Sequence, residues 1–464
     1  HTTNSMKNLL WKWLTLVLML NIHTMQTLYV NMLQLQKITI NTEDTILIQC
    51  HLNLQESKKE LNMNFGFKSY NSWDPLKKVL LGSTLPKGFF ADFPDPKVAD
   101  AMTKVNEETR EDLNNLQSVF ESKGIKVYRM PEECVVKNRR FNSVAEFIDT
   151  HGYIPKPFNA PRDDQIIFGE HMITGTSDAV HRIFHGTQED KHNIFKQHAP
   201  WAGCDDLIDI ADPTQELNII EAVGKPNFTM SWPSIMRAGK DIIIDIHDFN
   251  GPTKQLAENW VARFNEKFGY KFRINTTTMG GHTDAVMALI KPGLILSHVN
   301  VNKYEETFPG WDIIKIQRAH NDHTSAWNEF RISEKDKWRG NKLNPVADYW
   351  IAGQEHNVAL NKFIDLYMHP SVGSCFETNF DVNCVSIDAD TVVASGPSKV
   401  LEDKLGKHNV DVITSNMRHR FFWDCGLHCA TVDLYREGEM EDYFPERTNG
   451  INFGKVWGNN ETRR

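Results

Sequence analysis

Leu116-Gln-Ser-Val-Phe120-Glu-Ser-Lys-Gly124-Ile125-Lys-Val-Tyr-Arg129 reads as the last turns of a helix, a glycine stop and a short strand. The helix begins upstream. Over residues 98–123, Met102, Val105, Leu113, Leu116 and Phe120 fall at the three- and four-residue spacing that lines one helical face. Gly124 ends it, because a residue without Cβ takes the left-handed conformation that closes a helix. The same unit recurs at 256–268, Gly269 and 270–274, at 304–308, Gly310 and 312–316, and at 400–405, Gly406 and 410–414. Four copies of a helix–glycine–strand unit predict a repeat architecture of α/β modules rather than one doubly wound sheet. Their uneven spacing predicts insertions between modules.

Outside the copies the chain is less regular. Trp73-Asp-Pro75 opens a turn into a buried-type strand at 78–82. Residues 1–62 are rich in Met, Asn, Thr and Gln without a sustained period. They are expected to be an N-terminal extension outside the fold. A targeting peptide is the alternative, from the apolar run Leu14-Thr-Leu-Val-Leu-Met-Leu20 behind Lys7 and Lys12. The fold is expected over 63–445, with 446–464 as a C-terminal tail. An insertion over about 320–372 carries Trp327, Trp338, Trp350 and a helix at 357–367.

The totals exclude several classes. The chain has 464 residues, 40% apolar and 24% charged, the composition of an ordinary globular protein. A net charge of −9 with mixed signs gives no electrostatic basis for nucleic-acid binding. No run approaches the 18 or so apolar residues of a membrane span. Seven scattered cysteines are an odd number, a poor disulfide framework, and suggest a reducing, cytoplasmic setting. Cys425-x-x-x-Cys429 has no second Cys/His pair at zinc spacing, and His320-Asn-Asp-His323 falls in the irregular insertion, so no metal site is expected.

Chemistry concentrates in four stretches. Arg418-His-Arg-Phe-Phe-Trp-Asp-Cys-Gly-Leu-His-Cys429-Ala-Thr-Val-Asp-Leu-Tyr435 places a thiol just past a glycine and ahead of an alternating strand. A thiol at an element's edge can be reached by substrate, whereas most free cysteines are small core residues. Asn159-Ala-Pro-Arg-Asp163 leads into Ile166-Ile-Phe168, and Met230-Ser-Trp-Pro-Ser-Ile-Met-Arg-Ala-Gly-Lys-Asp241 into Ile242-Ile-Ile244. Thr278-Met-Gly-Gly-His282-Thr-Asp284 sets His and Asp two apart, on one face of an extended segment. Singly, Asp163 could cap a turn and His282 could be a core histidine. Together, a thiolate, an imidazole and two carboxylates could hold and attack a cation.

Gly426-Leu-His-Cys429-Ala-Thr431, His282-Thr-Asp284 and Pro161-Arg-Asp163, in this order in reverse along the chain, resemble the amidinotransferases, notably glycine amidinotransferase. These are part of a guanidino-modifying superfamily that includes arginine deiminases. The resemblance covers about residues 70–439. It implies a five-bladed α/β propeller of ββαβ modules with pseudo-fivefold symmetry. It also implies transfer of the amidino group of arginine to a small primary amine such as glycine, with release of ornithine and no cofactor. By resemblance Cys429 is the nucleophile, His282 the general acid/base, and Asp163 and Asp284 bind the guanidinium. Dimers occur in the family, so a homodimer is one expectation. The family carries an acid ahead of the stretch matched by Arg237-Ala-Gly-Lys-Asp241, where this chain has Ser231 and Ser234. Asp245 or Asp248 could support His282 instead. His428 is expected to face away from Cys429 on a strand, and receives no role. A guanidino hydrolase and a non-catalytic guanidino-binding protein are the alternatives.

Overall fold

The computed structural model describes residues 65–132, 143–152, 154, 157–174, 207–209, 232–245, 253–278, 282–298, 304–316, 354, 357–368, 380–396, 398–423 and 425–455. The chain divides into two units, His1–Met63 and Asn64–Arg464, and every described residue lies in the second.

The helix that anchors the repeat pattern is α1 (Pro96–Ser122). Asp95 caps it, its side chain accepting from the Lys97 N–H, and Pro96 occupies the first position, where a missing N–H is harmless. Val98, Met102, Val105, Leu113, Leu116 and Phe120 are all buried, as their spacing predicts. Complete burial of one such side chain contributes roughly 1.5–3 kcal/mol, so this face fixes the helix against its sheet.

In chain order β1 (Leu76–Leu81) precedes α1, and β2 (Lys126–Arg129) and α2 (Val144–His151) follow it. Next come β3 (Gln165–Phe168), β4 (His171–Thr174) and β5 (Leu207–Asp209). A third group is β6 (Ile235–Ala238), β7 (Asp241–Asp245), α3 (Thr253–Phe268) and β8 (Arg273–Thr278). A fourth is β9 (Met287–Lys291), β10 (Leu294–His298), α4 (Tyr304–Thr307) and β11 (Asp312–Ile316). After α5 (Val358–Tyr367) come β12 (Val385–Asp388), β13 (Thr391–Ser395), α6 (Lys399–Gly406) and β14 (Asp411–Ser415). The described chain ends with α7 (Arg420–Trp423), β15 (Thr431–Arg436) and β16 (Asn452–Lys455).

These strands form five small sheets with one recurring plan, so the fold is mixed α/β. In each, a first strand pairs antiparallel with a second, and the second pairs parallel with a third. The antiparallel step needs only a tight turn, whereas the parallel step needs a crossover, which is where α1, α3, α4 and α6 lie. One sheet is assembled from both ends of the described chain. β15 supplies the antiparallel partner of β1, with Leu80 opposite Val432 and Leu81 opposite Thr431.

Three of the four sequence copies end as expected, with Gly124, Gly269 and Gly310 at φ 74°, 74° and 78°. The fourth differs. Gly406 is inside α6, and Asn409 makes the left-handed turn at φ 56°. Asparagine is among the few residues with a Cβ that adopt this region readily. The strand expected at 270–274 begins at Arg273 instead, because Tyr270 and Phe272 pack against Phe264 in the aromatic core of that module. The sheet of β3, β4 and β5 is a fifth copy that the sequence pattern did not reveal. Its crossover, like most of the expected insertion at 320–372, lies outside the described residues; α5 lies within them, capped by Asn357. The stretch set apart as a tail contributes β16, which pairs parallel with β8 at the edge of its sheet. Among the described residues no helix is long and apolar enough to cross a membrane.

Candidate active site

Each of the five sheets is entered through a short turn, and each turn presents a polar residue or a thiol within three positions of its first strand. Asp163 ends the 3-10 turn Pro161–Asp163 before β3, and Ser234 ends Trp232–Ser234 before β6. Asp284 is the middle residue of Thr283–Ala285 before β9. Asn383 precedes β12 and Cys429 precedes β15, each by two residues. All five are buried.

The turns touch in succession. The first packs on the second and the second on the third; the Thr283 hydroxyl donates to the Ser234 carbonyl at 3.0 Å. Asn383 Nδ2 donates to the Asp284 carbonyl at 3.3 Å and to Cys429 Sγ at 3.1 Å. The Arg162 N–H returns to the Cys429 carbonyl at 3.3 Å. Groups distant in sequence therefore meet because equivalent turns of successive modules meet.

At the centre, Cys429 Sγ lies 3.7 Å from Asp284 Oδ2, which also pairs with His428 Nδ1 at 2.7 Å. Asp284 Oδ1 is buried without a hydrogen-bond partner. A carboxylate can accept at both oxygens, and leaving one buried and unpaired is unfavourable by about 1–3 kcal/mol or more. Such an oxygen suits an N–H donor from a ligand. The same carboxylate opposes ionisation of the thiol: two unit charges 3.7 Å apart repel by roughly 4 kcal/mol at an effective dielectric near 20. A bound cation would relieve that repulsion.

Burial lowers the pKa of His428, Arg162 lowers it further, and the Asp284 hydrogen bond opposes both. A carboxylate oxygen can only accept, so in this contact Nδ1–H donates to Asp284. This corrects the expected orientation of His428. The residue is in the turn before β15 rather than on the strand, so strand alternation does not turn its side chain away from the site. His282 stands immediately before the third turn, two residues from Asp284 and partly buried. Ser234 Oγ is buried without a hydrogen-bond partner. Asp245 ends β7 at the same end of its sheet as Ser234, since Ile244 lies opposite Ile235. Ser231, Asp248, His320 and His323 lie outside the described residues.

A buried ionic cluster supports the loop that carries Cys429. Asp433 accepts from Arg162 Nη2 at 2.9 Å, Arg237 Nη2 at 2.5 Å, Arg436 Nε at 2.9 Å and Ser69 Oγ at 2.7 Å. Arg162 Nε also holds the carbonyls of His428 and Thr431, at 3.0 and 2.9 Å. Gly426 opens the loop at a close approach. A Cβ there would run into the Asn383 carboxamide and the Phe380 ring. Gly426→Ala is expected to destabilise the protein by about 1–3 kcal/mol, as overpacking does, read as a lower midpoint in urea unfolding.

A modular α/β fold with a cysteine, a carboxylate and an imidazole in contact at adjoining turns defines a candidate cysteine-centred enzyme site. No protein-family model matches the chain. Among curated proteins it is 20% identical over 406 residues to inosamine-phosphate amidinotransferase 1 of Streptomyces glaucescens, covering 81% of this chain and 98% of that one. It is 21% identical over 425 residues to the mitochondrial glycine amidinotransferase of Gallus gallus, covering 81% and 84%. A solved structure of an amidinotransferase of the saxitoxin pathway from Microseira wollei aligns with a TM-score of 0.49 at 16% identity, over 82% of this chain and 99% of that one. The chain thus resembles the amidinotransferases along most of its length.

Proposed function

We propose that this protein transfers the amidino group of arginine to a small primary amine, glycine or a similar one, and releases ornithine. The observation that carries this reading is the buried, unpaired Asp284 Oδ1 in a carboxylate whose other oxygen lies 3.7 Å from Cys429 Sγ. That pairing suits a planar cation whose N–H groups bind the acid while its central carbon faces the sulfur. Asp163, on the first turn, is the second guanidinium-binding acid in this reading. The five sheets and their successive turns are taken as the blades of an α/β propeller.

The reaction runs in two halves. The Cys429 thiolate attacks the guanidino carbon, and the bond from that carbon to the alkyl nitrogen breaks. His282 protonates the departing amine, leaving a cationic amidino-thioether on the sulfur. An acceptor amine then gives a proton to His282 and attacks the same carbon. The carbon–sulfur bond breaks and the thiolate returns. General acid–base transfer of this kind typically contributes about 10²–10⁴ in rate.

Ser234 motivates the non-catalytic alternative, because a serine hydroxyl can accept a hydrogen bond from an imidazole but cannot balance an imidazolium charge. Incubation with arginine, with and without glycine and other amines, separates the readings. Amine-dependent ornithine is expected. Citrulline with ammonia would instead identify a guanidino hydrolase, and arginine binding without turnover a non-catalytic binding protein.

A further inference from the structure

The turn before β12 carries Asn383, at the same two-residue offset from its strand as Asp163 and Cys429 from theirs. Its side chain is fully buried and uses its whole hydrogen-bonding capacity. Oδ1 accepts from the N–H groups of His428 and Cys429, at 2.8 and 3.3 Å. Nδ2 donates to Cys429 Sγ at 3.1 Å and to the Asp284 carbonyl at 3.3 Å. The chemistry of the partners fixes the amide's orientation. Turned over, its NH₂ would face two backbone N–H groups, donor against donor.

We propose that Asn383 is a further catalytic residue: its Nδ2–H is the donor that stabilises the Cys429 thiolate, while its Oδ1 holds the loop carrying the sulfur. Such a donor offsets the carboxylate beside the sulfur. Among the described residues, the charged or titratable groups in direct contact with Cys429 or its loop are Asp284 on the third turn, His428 on the cysteine's own loop and Arg162 on the first turn. Asp284 opposes a thiolate, and His428 directs its Nδ1–H to Asp284. Arg162 meets the loop through the Cys429, His428 and Thr431 carbonyls, and its guanidinium pairs with Asp433. The carboxamide supplies a donor directly to the sulfur. This role rests on Cys429 being the nucleophile of the proposed reaction.

The test titrates Cys429 without substrate, from the ultraviolet thiolate absorbance of the protein minus that of Cys429→Ala. Asn383→Asp keeps the residue's size and an acceptor for the two backbone N–H groups, and replaces the donor facing sulfur. The Cys429 midpoint is expected to rise by about one pH unit or more, a tenfold or greater loss of thiolate at neutral pH. An unchanged midpoint overturns the role. Should that variant fail to fold, the unsubstituted protein decides through a second difference titration with Cys425→Ala. The Cys425 thiol donates to the Asn159 carbonyl at 3.2 Å, so it is expected to ionise at higher pH than Cys429. The reverse order would also overturn the role. No guanidine takes part, so an arginine assay that fails leaves these titrations readable, and a failed titration leaves the arginine assay to judge the reaction.

Discussion

Asp433→Ala is expected to lower the unfolding free energy by roughly 3–5 kcal/mol, the loss typical of removing one partner from a buried charge cluster. Arg162, Arg237 and Arg436 are each about 3% exposed and converge on this one carboxylate. Without it, three guanidinium groups remain inside the protein with no directly paired carboxylate among the described residues, only the more distant charge of Asp74 acting on Arg436 and Arg237. Burial alone would raise the Asp433 pKa, but Arg237, Arg436 and Arg162 together hold it well below the ordinary carboxylate range. Burial likewise pushes Arg237 down to about 10, against the opposing pull of Asp433, which leaves it charged at neutral pH. Because the folded-state pKa of Asp433 is depressed, its stabilisation is fully present above its unfolded value of about 3.9. It is lost as pH falls through the lower folded value. The gap between Asp433→Asn and the parent protein should therefore be widest near neutrality and shrink on acidification below about pH 4. Urea unfolding across this range measures both effects. A loss below about 1 kcal/mol at neutral pH would mean that the three arginines find compensation elsewhere.

The modular plan was legible because it is written in local signals. Helical spacing over α1 and a glycine stop are properties of adjacent residues, and they survived into the structure almost unchanged. The β3–β4–β5 module carries no helix–glycine–strand unit that stands out in sequence, so that signal does not reveal it. Asn409 escapes that pattern because it does a glycine's work with a Cβ. The site divides along the same line. Cys429 and Asp284 stood out by residue type, and the structure brings them into contact. Strand alternation does not reach His428, which precedes β15. Asn383 gave no chemical signal of its own, since a lone asparagine before an apolar run reads as a turn residue. Its position was nevertheless informative, two residues ahead of a strand as with Asp163 and Cys429. Aligning the modules by the starts of their first strands would have brought it forward. Ser234 stands one residue ahead of β6 and Asp284 three ahead of β9, so that alignment finds these two only to within one position.

Cys429→Ala is expected to abolish turnover of arginine, a loss of roughly 10⁴-fold or more by analogy with the removal of other enzymic nucleophiles. Binding should respond differently. The acids proposed to hold the guanidinium are untouched, so arginine should bind the variant about as tightly as it binds the parent, measured by calorimetry. Asp284→Asn reverses the pattern. Its amide retains one acceptor but loses the charge that favours a cation, and it places an NH₂ donor where either His428 Nδ1–H or the ligand N–H should be received. Binding should weaken by about tenfold or more, as expected for a charge-assisted hydrogen bond worth at least 1.4 kcal/mol. Removal of the carboxylate also ends its repulsion of the sulfur at 3.7 Å, so the thiol of Asp284→Asn should ionise at lower pH than the parent's. A more acidic thiol with poorer binding and slower turnover is a combination that general unfolding does not produce. Full turnover by Cys429→Ala, or unchanged arginine affinity in Asp284→Asn, would remove these two residues from the reaction.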